Sequence, residues 1–121
     1  MLRQFENVKI RLNGDLSTTF KETYYAEYFS GDVTLTMGDA SYTLSIHNGD
    51  VIATIAGSPL TGLDIGVTGS EEAWAELYAH KNFHRAVSPR HGKLRLQGNL
   101  VRCMGNLNCL SCIVKTLAAE V

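Results

Sequence analysis

The chain has 121 residues, 45% of them apolar and 19% charged, with a net charge of −1. That is one domain's length with enough apolar material for a core. It excludes a disordered chain and two typical domains. A single domain over 1–121 is therefore expected, and no apolar run approaches the ~20 residues of a membrane span.

The opening MLRQFENVKIRLNG carries charges where a secretory leader would have its apolar stretch, and the three cysteines are an odd number. A reducing, cytoplasmic setting is the expectation. Val8, Ile10 and Leu12 alternate with Lys9 and Arg11, which predicts a strand over Asn7–Leu12 ending at the Asn13-Gly14 turn. Residues 17–30 support two readings. Phe20, Tyr24 and Tyr28 have helical spacing, as do Tyr25 and Phe29, but the Thr and Tyr content favours a strand.

Residues 32–68 read as an antiparallel meander of four strands. Val33, Leu35 and Met37 alternate with threonines, and Gly38-Asp39 closes the run. Tyr42, Leu44 and Ile46 come next, then Asn48-Gly49, the dipeptide of a type I′ hairpin, then Val51–Ile55. Gly57-Ser58-Pro59 ends that strand, and Leu63, Ile65 and Val67 form the next.

Helical spacing then takes over. Thr68 or Ser70 can cap a helix with Glu71 and Glu72 in its first turn and Trp74, Leu77 and Tyr78 on one face. Phe83, Ala86 and Val87 predict a short second helix stopped by Ser88-Pro89. Gly92–Gly98, reading GKLRLQG, predicts a strand with Leu94 and Leu96 inward, and Asn99 can cap the closing helical stretch. In that stretch Leu100, Met104, Leu107, Leu110, Val114 and Leu117 form an amphipathic stripe, with a break expected at Gly105. The fold class is α+β: a mostly antiparallel sheet of five to six strands with helices on one face.

The pieces LDIGVTGSEEAWAELY and GKLRLQGNLVRCMGNL, in that order after a meander, carry a resemblance. Over about two thirds of its length the chain resembles the sterol-carrier-protein type-two-like family of lipid-binding domains. The family opens on a helix where residues 7–12 read as a strand, and it often has Asp where this chain has Asn99. The resemblance implies an apolar cavity between sheet and helices that binds fatty-acyl, sterol or similar ligands without transforming them. The candidate lining residues are Trp74, Leu77, Tyr78, Phe83, Leu94, Leu96, Val101, Met104, Leu107 and Leu110. For each one individually ordinary core packing outweighs ligand contact; the flexible thioether of Met104 best suits a variable ligand.

Other constellations are weaker. Cys109 and Cys112 form one Cys-x-x-Cys pair, with Cys103 nearby, in a helical stretch rather than at the helix start a redox pair needs. Buried free thiols are expected. His80, His84 and His91 supply neither a zinc spacing nor a recognised catalytic motif. Asp32, Asp39, Asp50 and Asp64 sit at turns and strand ends. No catalytic residue, metal or cofactor is expected.

Charge is unevenly distributed. Residues 1–79 hold four Lys/Arg against eleven Asp/Glu, a balance of −7, and residues 80–121 hold seven against one, a balance of +6. Lys81, Arg85, Arg90, Lys93, Arg95 and Arg102 lack interleaved aromatics and a nucleic-acid module, so no nucleic-acid partner is expected. This basic half could meet an anionic head group or surface, or the acidic half could neutralise it. The leading functional expectation is a carrier or binding module for an apolar ligand. The alternative is an accessory or homodimeric interaction domain that serves a separately encoded enzyme, its groove filled by protein.

Overall fold

Phe5, Val8 and Leu12 recur at helical spacing and are buried, whereas Ile10 is 66% exposed. The first element is accordingly a helix, α1 (Leu2–Asn13), and not the strand expected over residues 7–12. Val8 and Leu12 satisfy both periods. Burial of Phe5 and exposure of Ile10 decide for the helix. The computed structural model describes residues 2–24, 26–58, 62, 64–80, 82–88, 90 and 92–120. Tyr25, Pro59, Leu63, Lys81, Pro89 and His91, which enter the expectations above, lie outside that set.

The ambiguous stretch after α1 is neither a regular helix nor a strand. It forms a π-helical turn at Thr19–Thr23 and a 3-10 turn at Ala26–Tyr28. Phe20 and Phe29 are buried and Tyr28 is exposed, so the helical spacing there does not make a single face.

Five strands come after it: β1 (Gly31–Met37), β2 (Ala40–His47), β3 (Asp50–Ala56), β4 (Ile65–Gly69) and β5 (Arg95–Gly98). The β2–β3 turn has Asn48 and Gly49 both at positive φ, 48° and 81°, as the Asn-Gly signal requires. β1, β2 and β3 form the expected antiparallel meander. The fourth strand departs from it. β4 pairs in parallel with β1, giving the order β3-β2-β1-β4-β5 and a mixed sheet of five strands. Its alternation is legible in the sequence, but alternation carries no strand direction. At β3, the Asn13 side chain donates to the Val51 carbonyl at 2.7 Å and accepts the Val51 N–H at 2.9 Å.

One sheet face is apolar. Val33, Leu35, Leu44, Ile46, Ile65 and Val67 share it and are buried, and Phe5 of α1 stacks on Tyr42 with ring centroids 4.8 Å apart. The other face of the β1–β2 pair is a ladder of hydroxyls. Asp32–Ser45, Thr34–Thr43 and Thr36–Ser41 are cross-strand partners hydrogen-bonded at 2.7, 2.9 and 3.0 Å.

The helices after β4 match the sequence closely. α2 (Glu71–His80) begins at Ser70, whose Oγ accepts the Ala73 N–H. α3 (Phe83–Ala86) is capped by Asn82. Gly105 ends α4 (Leu100–Gly105), capped by Asn99, and α5 (Leu107–Ala119) runs on from Asn106. α5 buries Leu110, Ile113, Val114 and Leu117 and packs against α1 and α3. No helix among the described residues is long and apolar enough to cross a membrane.

Candidate ligand site

The two glycines of GKLRLQG have separate structural duties. Gly98 has φ 83°, a left-handed conformation that turns the chain from β5 into the Asn99 cap. Gly92 lies beneath the end of α3. A Cβ there would collide with the Ala86 carbonyl and come within 2.7 Å of the Arg85 oxygen. The Gly92 and Leu94 amides donate to the Ser88 and Ala86 carbonyls at 2.8 and 3.0 Å. This brings Lys93 and Leu94 against α2.

Trp74 anchors α2, its indole N–H donating to the Thr36 carbonyl at 2.8 Å. One turn on, Leu77 is 4% exposed and lines two depressions. The larger, about 370 Å³, lies between α2, α3 and Gly92–Leu94, and Glu76, His80, Asn82, Arg85 and Lys93 give it a polar wall. The smaller, about 280 Å³, lies against α5, with Leu77, Phe83, Val114, Ala118 and Ala119 as its apolar wall and Lys115 at its rim.

Of the ten candidate lining residues, Leu77, Phe83 and Leu94 reach these depressions. Trp74 and Leu110 are in the closed core, and Tyr78, Leu96 and Leu107 are half-buried against it. Val101 and Met104 are 83% and 62% exposed, on the outer side of α4 with Leu100. Cys103 takes the inward position of that short helix, and Arg102 holds Asp64 at 2.9 and 3.2 Å, which turns Val101 and Met104 to solvent. Val114, Ala118 and Ala119 carry no signal of their own in the sequence, since residues of a closing helix have core composition whether or not they wall a depression.

The three cysteines are free and buried. Cys103 donates to the Gln97 carbonyl. Burial pushes the Cys109 thiol up to about 12 and raises those of Cys103 and Cys112. It also pushes the Tyr78 phenol up to about 12. These groups gain protons relative to the unfolded chain. Their stabilisation is therefore full below the unfolded values near 9 and 10 and is lost as pH rises towards 12. Unfolding free energies from urea titrations, followed by circular dichroism, should be unaffected by these groups between neutral pH and about pH 9 and fall above it, by at most ~1.4 kcal/mol per pH unit for each group. A value constant through about pH 11 would contradict this. Thiol alkylation at neutral pH should likewise be slow until the chain is unfolded.

Among the described residues no group of His, Cys, Asp and Glu could hold a metal ion. His80 lines the larger depression, while His84 sits edge-on to Phe83. The charge split is partly resolved internally, since Arg102 pairs with Asp64 and Lys93 with Glu76 at 2.8 Å; the Arg11–Glu120 pair at 3.2 Å joins the minority charges of the two halves and does not reduce it.

No protein-family model matches the sequence, and no curated protein does. Solved structures do match. The chain is similar to sterol carrier protein 2 with a TM-score of 0.75 at 16% identity, over 96% of this chain and 94% of that one. A conserved hypothetical protein of Thermus thermophilus gives 0.74 at 16%, over 98% and 87%. UbiJ-SCP2, described as a ubiquinone synthesis protein, gives 0.52 at 16%, over 84% and 86%. The resemblance carried by GKLRLQG and its flanking helices thus holds at the level of the fold: a sterol-carrier-protein-2-like α+β domain with a mixed five-stranded sheet.

Proposed function

We propose that this protein is a binding or carrier module for an apolar ligand of the fatty-acyl or sterol kind and carries out no chemistry on it. The observation that carries this reading is the apolar depression of about 280 Å³ walled by Leu77, Phe83, Val114 and Ala118. It lies in a fold similar to sterol carrier protein 2. That volume is near the lower end of small-ligand sites, about 300–1,000 Å³. Each methylene buried there contributes roughly 0.8 kcal/mol, so affinity needs no dedicated polar chemistry. Leu77 and Phe83 are the proposed contact residues there, Leu94 reaches the larger depression, and Trp74, Tyr78, Leu96, Leu107 and Leu110 belong to the core or pack against it.

Purified protein is expected to yield lipid on organic extraction and to bind a fluorescent acyl probe that unlabelled fatty acid displaces. A lipid-free extract together with no probe binding would overturn the reading. A second reading, an accessory or homodimeric domain serving an enzyme, draws on the exposed Leu100, Val101 and Met104 of α4 and on the similarity to UbiJ-SCP2. A monomer insensitive to concentration and salt in sedimentation would remove its dimeric form.

A further inference from the structure

We infer that the two depressions flanking Leu77 form one divided site for an amphiphile, taking the tail against α5 and an anionic head group, carboxylate or phosphate, at Arg85 and Lys93. This inference rests on the carrier reading and specifies its ligand.

Leu77 lines both depressions, and α3 contributes to both, Phe83 to one and Arg85 and Ala86 to the other. The compartments differ sharply in chemistry. On the α5 side the wall is aliphatic and aromatic, with Lys115 at the rim. On the other side Arg85, Lys93 and His80 face the Glu76 carboxylate, with Glu72 within electrostatic reach of Lys93.

Arg85 is exposed and has no ion pair among the described residues, so its planar fork is available to an oxyanion. Lys93 is held by Glu76 at 2.8 Å, but both side chains are at least half exposed. A pair so open to water is weak and easily exchanged. An incoming oxyanion can therefore share the ammonium. The Asn82 side-chain carbonyl accepts the Arg85 amide, which fixes the start of α3 and so the backbone from which the guanidinium extends.

The test is competition against a fluorescent acyl probe by dodecanoate, dodecyl phosphate and dodecanol. It uses the full chain and its Arg85→Gln/Lys93→Gln and Lys115→Gln variants, all at positions outside the buried core. The two acids are expected to compete about tenfold better than the alcohol, a difference of about 1.4 kcal/mol. The double variant should lose that advantage while dodecanol is unaffected, and Lys115→Gln should keep it. An advantage for either acid supports the inference, and the stronger one names the head group. Equal potency of acids and alcohol overturns it, as does an advantage that survives the double variant or disappears with Lys115→Gln. If dodecanol and both acids all fail to compete, the carrier reading itself has failed.

Discussion

Replacing Trp74 with alanine is expected to destabilise the protein by about 3–5 kcal/mol, a large share of the total stability of a domain this size. The indole is 2% exposed and touches the core while donating to the Thr36 carbonyl at 2.8 Å. Alanine therefore leaves a cavity and removes that donor. Trp74→Phe keeps most of the ring and loses only the hydrogen bond and some volume, so it should fall between the two, with a loss of about 1–3 kcal/mol. Because Trp74 is the only tryptophan, unfolding must be followed by circular dichroism. A loss below about 1 kcal/mol for the alanine variant would show that α2 is not anchored through this side chain.

The second large effect falls on the motif glycine. Gly92→Ala should cost about 3 kcal/mol or more, because the added methyl group meets backbone of α3 and has no flexible side-chain tip to displace. Two amide bonds to the α3 end, from Gly92 and Leu94, would be strained together. Acyl-probe binding should weaken as well, since Lys93 and Leu94 are positioned by that contact. Gly105→Ala is the control. A Cβ there meets nothing within 4 Å, and the change should be neutral or stabilising by up to about 1 kcal/mol. Equal effects at the two glycines would refute the packing account of Gly92.

The legible parts of the fold are those fixed by near neighbours in sequence. Asn48-Gly49, the Ser70 and Asn99 caps and the break at Gly105 each depend on a few adjacent residues, and each occurs where its chemistry indicates. α1 reads as a strand because the Asn7–Leu12 window holds too few positions to separate a period of two from one of 3.6. The parallel pairing of β4 with β1 depends on how the chain crosses between sheet edges, and no residue pattern records that.

The candidate site is half legible for the same reason. Leu77, Phe83 and Leu94 stand out as apolar residues beside a motif. Arg85 and Lys93 read as dispersed surface charge until tertiary structure places both beside Glu76. Met104 fits the amphipathic stripe, but the break at Gly105 makes α4 a separate short helix, on which Met104 and its neighbour Val101 are exposed. A stripe carried across a helix break no longer describes a single face.

The Asn13 side chain, bonded in both directions to Val51, imitates a neighbouring strand for one residue of β3. β3 is an outermost strand of the sheet, and its open backbone groups could otherwise recruit an extended segment from another molecule. The helix that leads into Asn13 thereby acts as a border that halts lateral growth of the sheet. Undocking the first helix would therefore leave that backbone position of the edge open to pairing with another chain, whether or not a ligand is bound.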